Sequence, residues 1–211
     1  MKLMKKDLEY ADNIMSIITC GTSQLRGEIK TKCANAIGGH YQIPGGREDS
    51  DVKKLIEWLL NDSNFAFGGL NLEIQLRDNQ KPYMHPIIAE VLQKQWFFSK
   101  KAEGYKFRER FNPIPLALIA IIVTGVEAAL QDWKTGQFVR TDFTSEMNAP
   151  RWDHHLSGLQ KLKGKAINWT ANLQKNMFTD ACARSKLTFD NVEINKALDE
   201  TDFDSLEQSV A

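Results

Sequence analysis

The stretch Ile114-Pro115-Leu116-Ala117-Leu118-Ile119-Ala120-Ile121-Ile122-Val123-Thr124-Gly125-Val126-Glu127-Ala128-Ala129-Leu130-Gln131 decides the fold. Pro115 suits the first turn of a helix, where its missing N–H would have had no partner. Beyond it, Thr124, Glu127 and Gln131 fall on one narrow stripe, and most of the remaining circumference is apolar. A helix apolar on nearly every side is packed by neighbours on several sides. The apolar run 114–126 is shorter than the roughly 20 residues that span a bilayer, so it reads as a core helix. Trp133 closes it and Gly136 supplies the left-handed stop, which sets the central helix at 115–134.

Upstream of that helix the chain alternates helical stripes with stops. Leu8, Ala11, Met15 and Ile18 stand at helical spacing and predict a first helix from Lys5 to Thr19, ended by Gly21. Thr22 is placed to cap a second helix bearing Leu25, Ile29, Cys33 and Ile37, which Gly38-Gly39 stops. Asp49 and Ser50 cap a third, with Val52, Leu55, Ile56, Leu59 and Leu60 inward. Leu70-Asn71-Leu72-Glu73-Ile74-Gln75-Leu76 alternates strictly and predicts a strand, with Phe138–Phe143 as its partner. Pro86 opens another helix, and two more follow the central one, over 145–162 and 165–185. The expected architecture is mainly α: a compact bundle of about seven helices around the buried helix 115–134, with a minor two-stranded β element.

Composition narrows the classes. Apolar residues at 42% and charged residues at 26% are those of an ordinary globular protein. From Leu187 to Ala211 seven acids face one base, a formal −6, so the zero total leaves +6 on residues 1–186. We therefore read 1–186 as one helical domain and 187–211 as an acidic, loosely ordered tail, placed to shield a basic surface. Cys20, Cys33 and Cys182 are odd in number and lack metal-knuckle spacing, which argues against a disulfide framework or zinc site and for a cytoplasmic or nuclear setting. Asp7, Glu9 and Asp12 interrupt the place where a signal peptide needs its apolar run.

Phe111-Asn112-Pro113-Ile114-Pro115-Leu116, with Leu118-Ile119-Ala120, Thr124, Leu130, Trp133 and Gly136, resembles a domain of unknown function widespread in mushroom-forming fungi. The likeness extends to Leu25-Arg26, His40-Tyr41, Phe65, Gly68-Gly69, His85-Pro86 and Phe97-Phe98 upstream, and to Phe143, His155 and Leu159 downstream. It covers roughly residues 22–185 and implies a fungal helical domain, often joined to long charged extensions. This chain has almost no N-terminal extension, as in a short member or an excised domain. The resemblance carries no assigned activity and no catalytic residue.

The motifs of catalysis are missing: no nucleophile elbow, no phosphate-cradling glycine loop, no reactive-cysteine context. His154 and His155 point about 100° apart on a helix and share no ion readily. His155 is read as structural and His154 as solvent-facing. His40 and His85 precede a turn and a proline and are expected to bond backbone carbonyls, and Cys33 is expected to be a buried thiol. Neither catalytic residues, a metal site nor a cofactor are assigned. Glu127, in an otherwise apolar helix, needs a partner or a shifted pKa, and would anchor any enzyme reading.

The positive signal is the segment 94–111. Lys94, Lys100, Lys101, Lys106, Arg108 and Arg110 stand there among Trp96, Phe97, Phe98, Tyr105, Phe107 and Phe111. Bases that hold phosphates and aromatics that stack on unpaired nucleobases are the means of single-strand recognition. Aromatics before a core helix also serve as core, with lysines beside them solvating a face. Three classes follow: a protein–protein interaction module first, a nucleic-acid-binding domain using those six bases second, an enzyme near Glu127 third. No membrane partner is expected.

Overall fold

The central helix, α6 (Leu116–Gln131), is enclosed much as its composition requires: Ile119, Ala120 and the run Ile122–Val126 are buried, and Ala128, Ala129 and Leu130 complete the inward side. The computed structural model describes residues 23–185. Around α6 stand α1 (residues 23–41), α2 (Asp49–Leu60), α3 (Pro86–Trp96), the single-turn helices α4 (Glu103–Lys106) and α5 (Arg108–Phe111), α7 (Ser145–Lys165) and α8 (Ile167–Arg184). The mainly helical bundle is as the sequence predicts. The predicted helix 5–19, the Thr22 cap, Cys20 and the acidic tail 187–211 lie outside the described residues.

Each neighbour of α6 has its own reason to sit there. α1 crosses at Gly125, where a Cβ would stand 2.7 Å from Ile29 Cγ2 and 3.0 Å from Cys33 Sγ. Glycine is required by that close approach. α3 starts on Pro86, and its N-terminus is capped by His85 Nδ1, which accepts from Ile87 N–H at 3.3 Å. α7 is capped by Thr144 Oγ1, which accepts from Met147 N–H, and it carries Pro150 without ending. α8 closes the bundle: Phe178 packs edge-on against Phe97 at 5.6 Å. Gln174 and Ile114 bond reciprocally, Nε2 to carbonyl at 2.6 Å and N–H to carbonyl at 3.3 Å.

Beyond α6 the chain turns at Gly136, whose φ of 94° and contact with the Asp49 carbonyl exclude a side chain. The following stretch is fastened by a buried ion pair. Asp132 accepts from Lys30 Nζ at 3.0 Å, from Thr141 Oγ1 at 2.6 Å and from Thr141 N–H at 2.9 Å. Lys30 Nζ also reaches the Thr141 carbonyl.

The predicted strand pair is corrected. Among the described residues there is no strand; 70–76 holds only one antiparallel bridge, between Asn71 and Leu76. The Asn71 carboxamide oxygen accepts from Glu73 and Ile74 N–H at 3.1 and 3.3 Å, closing a turn. Leu70 and Leu72 pack on the core while Ile74 and Leu76 stand exposed, so the alternation does not define one buried face. Residues 138–143 run without a paired strand and are held by the Asp132 network instead.

Candidate functional site

Pro115 stands as the N-cap of α6 and the chain reaches it from Phe111, so the first turns of α6 lie at the molecular surface. α7 begins alongside. Its Trp152 indole N–H donates to the Ala117 carbonyl at 3.3 Å, an acceptor near the start of α6. Between the two helices lies an open groove of about 600 Å³, walled by Phe111, Leu118, Ile121, Phe143, Ala149 and Trp152. Arg26 of α1 and Arg110 of α5 add two guanidiniums to its lining.

The groove is apolar in more than its carbon atoms. Thr124 on its wall donates its hydroxyl to the Ala120 carbonyl at 2.8 Å. Asn148 donates to the Thr144 carbonyl and accepts from Arg151 Nη1 at 3.1 Å. Both are thus engaged within the protein, leaving little polar capacity turned toward an occupant. Arg26 differs: its Nη2 donates to Ser23 Oγ at 2.9 Å, but its Nε is buried without a hydrogen-bond partner. A buried donor left unpaired costs about 1–3 kcal/mol.

The six bases of 94–111 are spread over the last turn of α3, the turn that follows it, α4 and α5. Lys94 pairs with Glu90 Oε1 at 2.6 Å on its own helix. Lys106 ends α4, Arg108 and Arg110 lie on α5, and the Arg110 guanidinium stands 5.5 Å over the Phe107 ring. Lys100 and Lys101 are exposed in the turn before α4. Of the aromatics among them, Trp96 and Phe97 are core, Tyr105 and Phe111 are half-buried, and Phe98 and Phe107 remain exposed.

Glu127 has its partners. Oε2 lies 2.7 Å from His155 Nε2 and Oε1 lies 3.2 Å from Arg151 Nε. His155 is 1% exposed and edge-on to Phe65, which makes it structural, while His154 is exposed. His155 Nδ1 has no partner. A carboxylate oxygen accepts, so the proton of the Glu127 contact sits on His155 Nε2. The stripe of α6 therefore divides: Thr124 turns to its own backbone, Glu127 to two bases.

The expectation for His40 and His85 is corrected. His40 pairs with Glu90 Oε2 at 2.8 Å, and His85 accepts a backbone N–H rather than bonding a carbonyl. Burial, with His40 close by, holds His85 neutral, its pKa pushed down to about 3. Both line a polar cleft of about 540 Å³ with Asn71 and Glu73. Cys33 is fully buried and burial pushes its thiol up, as it pushes Cys182 to about 11, so both stay protonated and unreactive. Among the described residues no group of three His, Cys, Asp or Glu is placed to hold a metal ion, and no helix is long and apolar enough to cross a membrane.

The groove was missed by sequence reasoning, though its signal was present. Leu118 and Ile121 stay half-buried on one side of α6, and a helix apolar all round needs cover on that side too. Residues 2–162 match the family model described as Domain of unknown function (DUF6532), and the chain belongs to that family. The match takes in the predicted first helix and stops short of α8. No curated protein and no solved structure matches the chain.

Proposed function

We propose that this DUF6532 domain is a non-catalytic interaction module that takes the apolar face of a helix from a protein partner into the groove between α6 and α7. The observation that carries the reading is the groove's wall: large apolar side chains, with Thr124 and Asn148 already bonded inside the protein. Catalysis calls for convergent polar groups free to reach a substrate. Helix-in-groove recognition calls for an apolar trough that accepts anchors at i, i+3, i+4 and i+7. Arg26 and Arg110 favour a helix with acids flanking its apolar face.

Free thiols at Cys33 and Cys182 support a role inside the cell, in cytoplasm or nucleus. The Phe111–Leu116 motif supports a place among proteins of mushroom-forming fungi. The test is affinity capture with the wild-type chain and with Ala117→Glu/Ala149→Glu, two exposed alanines on facing walls. One protein captured reproducibly and lost with the pair is expected; a captured set that ignores the substitutions overturns the reading.

A second reading has an observation of its own. Phe98 and Phe107 stay 61% and 45% exposed in the same stretch of chain as Lys100, Lys101, Lys106, Arg108 and Arg110, and exposed rings are what stacking on single-stranded nucleic acid needs. Engaging about five phosphates predicts a log–log salt slope near −3.5 on single strands. Fluorescence anisotropy with alanine at those five bases tests it, and absence of binding at low salt retires it. In this reading, removal of residues 187–211 raises affinity for polyanions.

A further inference from the structure

The groove between α6 and α7 joins an apolar wall to positive charge that nothing in the wall balances. We propose that it also binds a free long-chain carboxylate, its head at Arg26 and its tail along the wall. The inference rests on the groove reading above, because the acid and a partner helix would compete for one surface.

Charge comes first. Arg26 and Arg110 both line the groove, and among the described residues its lining holds no carboxylate. The contacts of these two guanidiniums are with neutral groups: Arg26 Nη2 donates to Ser23 Oγ at 2.9 Å, and Arg110 stands over the Phe107 ring. Ser23 engages only one nitrogen of Arg26, and Nε is buried without a hydrogen-bond partner. A carboxylate that accepts from the guanidinium fork pairs Nε together with a terminal nitrogen. Arg110 is exposed and adds attraction for an anion.

The wall suits an alkyl tail. Phe111, Leu118, Ile121, Phe143 and Trp152 line the groove and are each half-buried. Thr124 and Asn148 on the same wall already donate to backbone carbonyls, so a tail strips little polar surface of its water. A groove of about 600 Å³ falls in the range of single-ligand sites. A free acid is specified because esterification removes the negative charge that the guanidinium complements. The cleft at His40 and His85 offers no such pairing: its lining holds the carboxylate of Glu73 and, among the described residues, neither arginine nor lysine.

The test is isothermal titration calorimetry of the full chain with dodecanoate, kept below the concentration at which it forms micelles. Octanoate and decanoate complete a tail series, and dodecyltrimethylammonium carries the same tail with the opposite charge. Affinity is expected to rise about fourfold for each methylene buried. Dodecanoate is expected to bind about tenfold more tightly than the cation. Arg26→Gln is expected to remove most of that preference, and Ala149→Glu, at an exposed position of the wall, to abolish binding. Equal affinity for the two head groups in the wild-type chain overturns the proposal whether or not the variants fold, and so does binding that ignores Ala149→Glu.

Dodecanoate added to the capture experiment above is expected to release the partner. A partner lost with Ala117→Glu/Ala149→Glu but indifferent to dodecanoate, with no heat of dodecanoate binding, overturns the carboxylate site and leaves the helix reading standing. Dodecanoate bound with the expected preference, while the captured set ignores the paired substitutions, overturns the helix reading and with it the competition.

Discussion

Replacing Asp132 by alanine removes the acceptor on which α1, the end of α6 and the 138–141 stretch converge. Its side chain is 2% exposed and the Lys30 ammonium beside it 11%, so neither charge has water to fall back on. Once Asp132 is gone, Lys30 keeps, among the described residues, Thr141 through its carbonyl and its hydroxyl, the latter at 3.2 Å. Removing one member of a buried pair costs about 3–5 kcal/mol, because the other charge stays behind uncompensated. At about 2–4 °C per kcal/mol for a chain of this size, Tm falls by about 6–20 °C. Lys30→Met costs less, since Asp132 retains the Thr141 hydroxyl and N–H. The double variant Lys30→Met/Asp132→Ala loses less than the sum of the singles, because no orphaned charge remains. Thermal unfolding followed by circular dichroism reads all three. A shift below about 2 °C for Asp132→Ala, or strict additivity in the double variant, refutes the reasoning.

Glu127→Ala strands the His155 Nε2 proton in a buried site and is expected to cost about 1–3 kcal/mol in urea denaturation, whereas Glu127→Gln keeps an acceptor and costs less. Gly125→Ala drives a methyl against Ile29 and Cys33 and is expected to destabilise by about 1–3 kcal/mol, measured in the same way. His85 has a folded pKa of about 3 against an ordinary 6.5, so the unfolded chain binds the extra proton between those values. Its contribution to stability is full above pH 6.5 and is lost as pH falls toward about 3. His85→Asn retains a capping oxygen for Ile87 N–H, and is expected to flatten that part of a pH series of unfolding midpoints. A wild-type series already flat there, with His40 paired to Glu90, speaks against a neutral buried His85.

The helices were legible because each is written as a stripe with a stop. Ile29, Cys33 and Ile37 in α1, and Val52, Leu55, Ile56 and Leu59 in α2, are all buried as their spacing requires. The 70–76 strand failed because alternation is a local pattern whereas a strand is a pairing: without a partner ladder the Asn71 side chain satisfies two backbone N–H groups and the segment turns. The basic aromatic segment was half legible. Its lysines and Arg110 are exposed and Arg108 is half-buried, but Trp96 and Phe97 are needed in the core, a choice that composition alone does not reveal. The groove was legible only as an apolar side of α6 in need of cover, and its other walls were not legible. It is made by residues from 26 to 152 that meet only once α1, α5, α6 and α7 are placed.

The extent of the family match bears on what the groove is for. The match ends at residue 162, inside α7, yet the bundle continues: α8 supplies Leu173, Met177, Phe178, Ala181 and Cys182 to the same core and holds the Ile114 backbone through Gln174. Ile114 is the residue just before the N-cap of α6, so α8 fixes the angle at which α6 leaves the 111–115 bend. That bend carries Phe111 and Pro115, which line one end of the groove. The matched stretch thus holds every groove-lining residue, while the helix outside it sets the bend from behind. If the groove is the partner site proposed above, its walls lie wholly inside the matched region, and α8 serves to hold it in shape from outside that region.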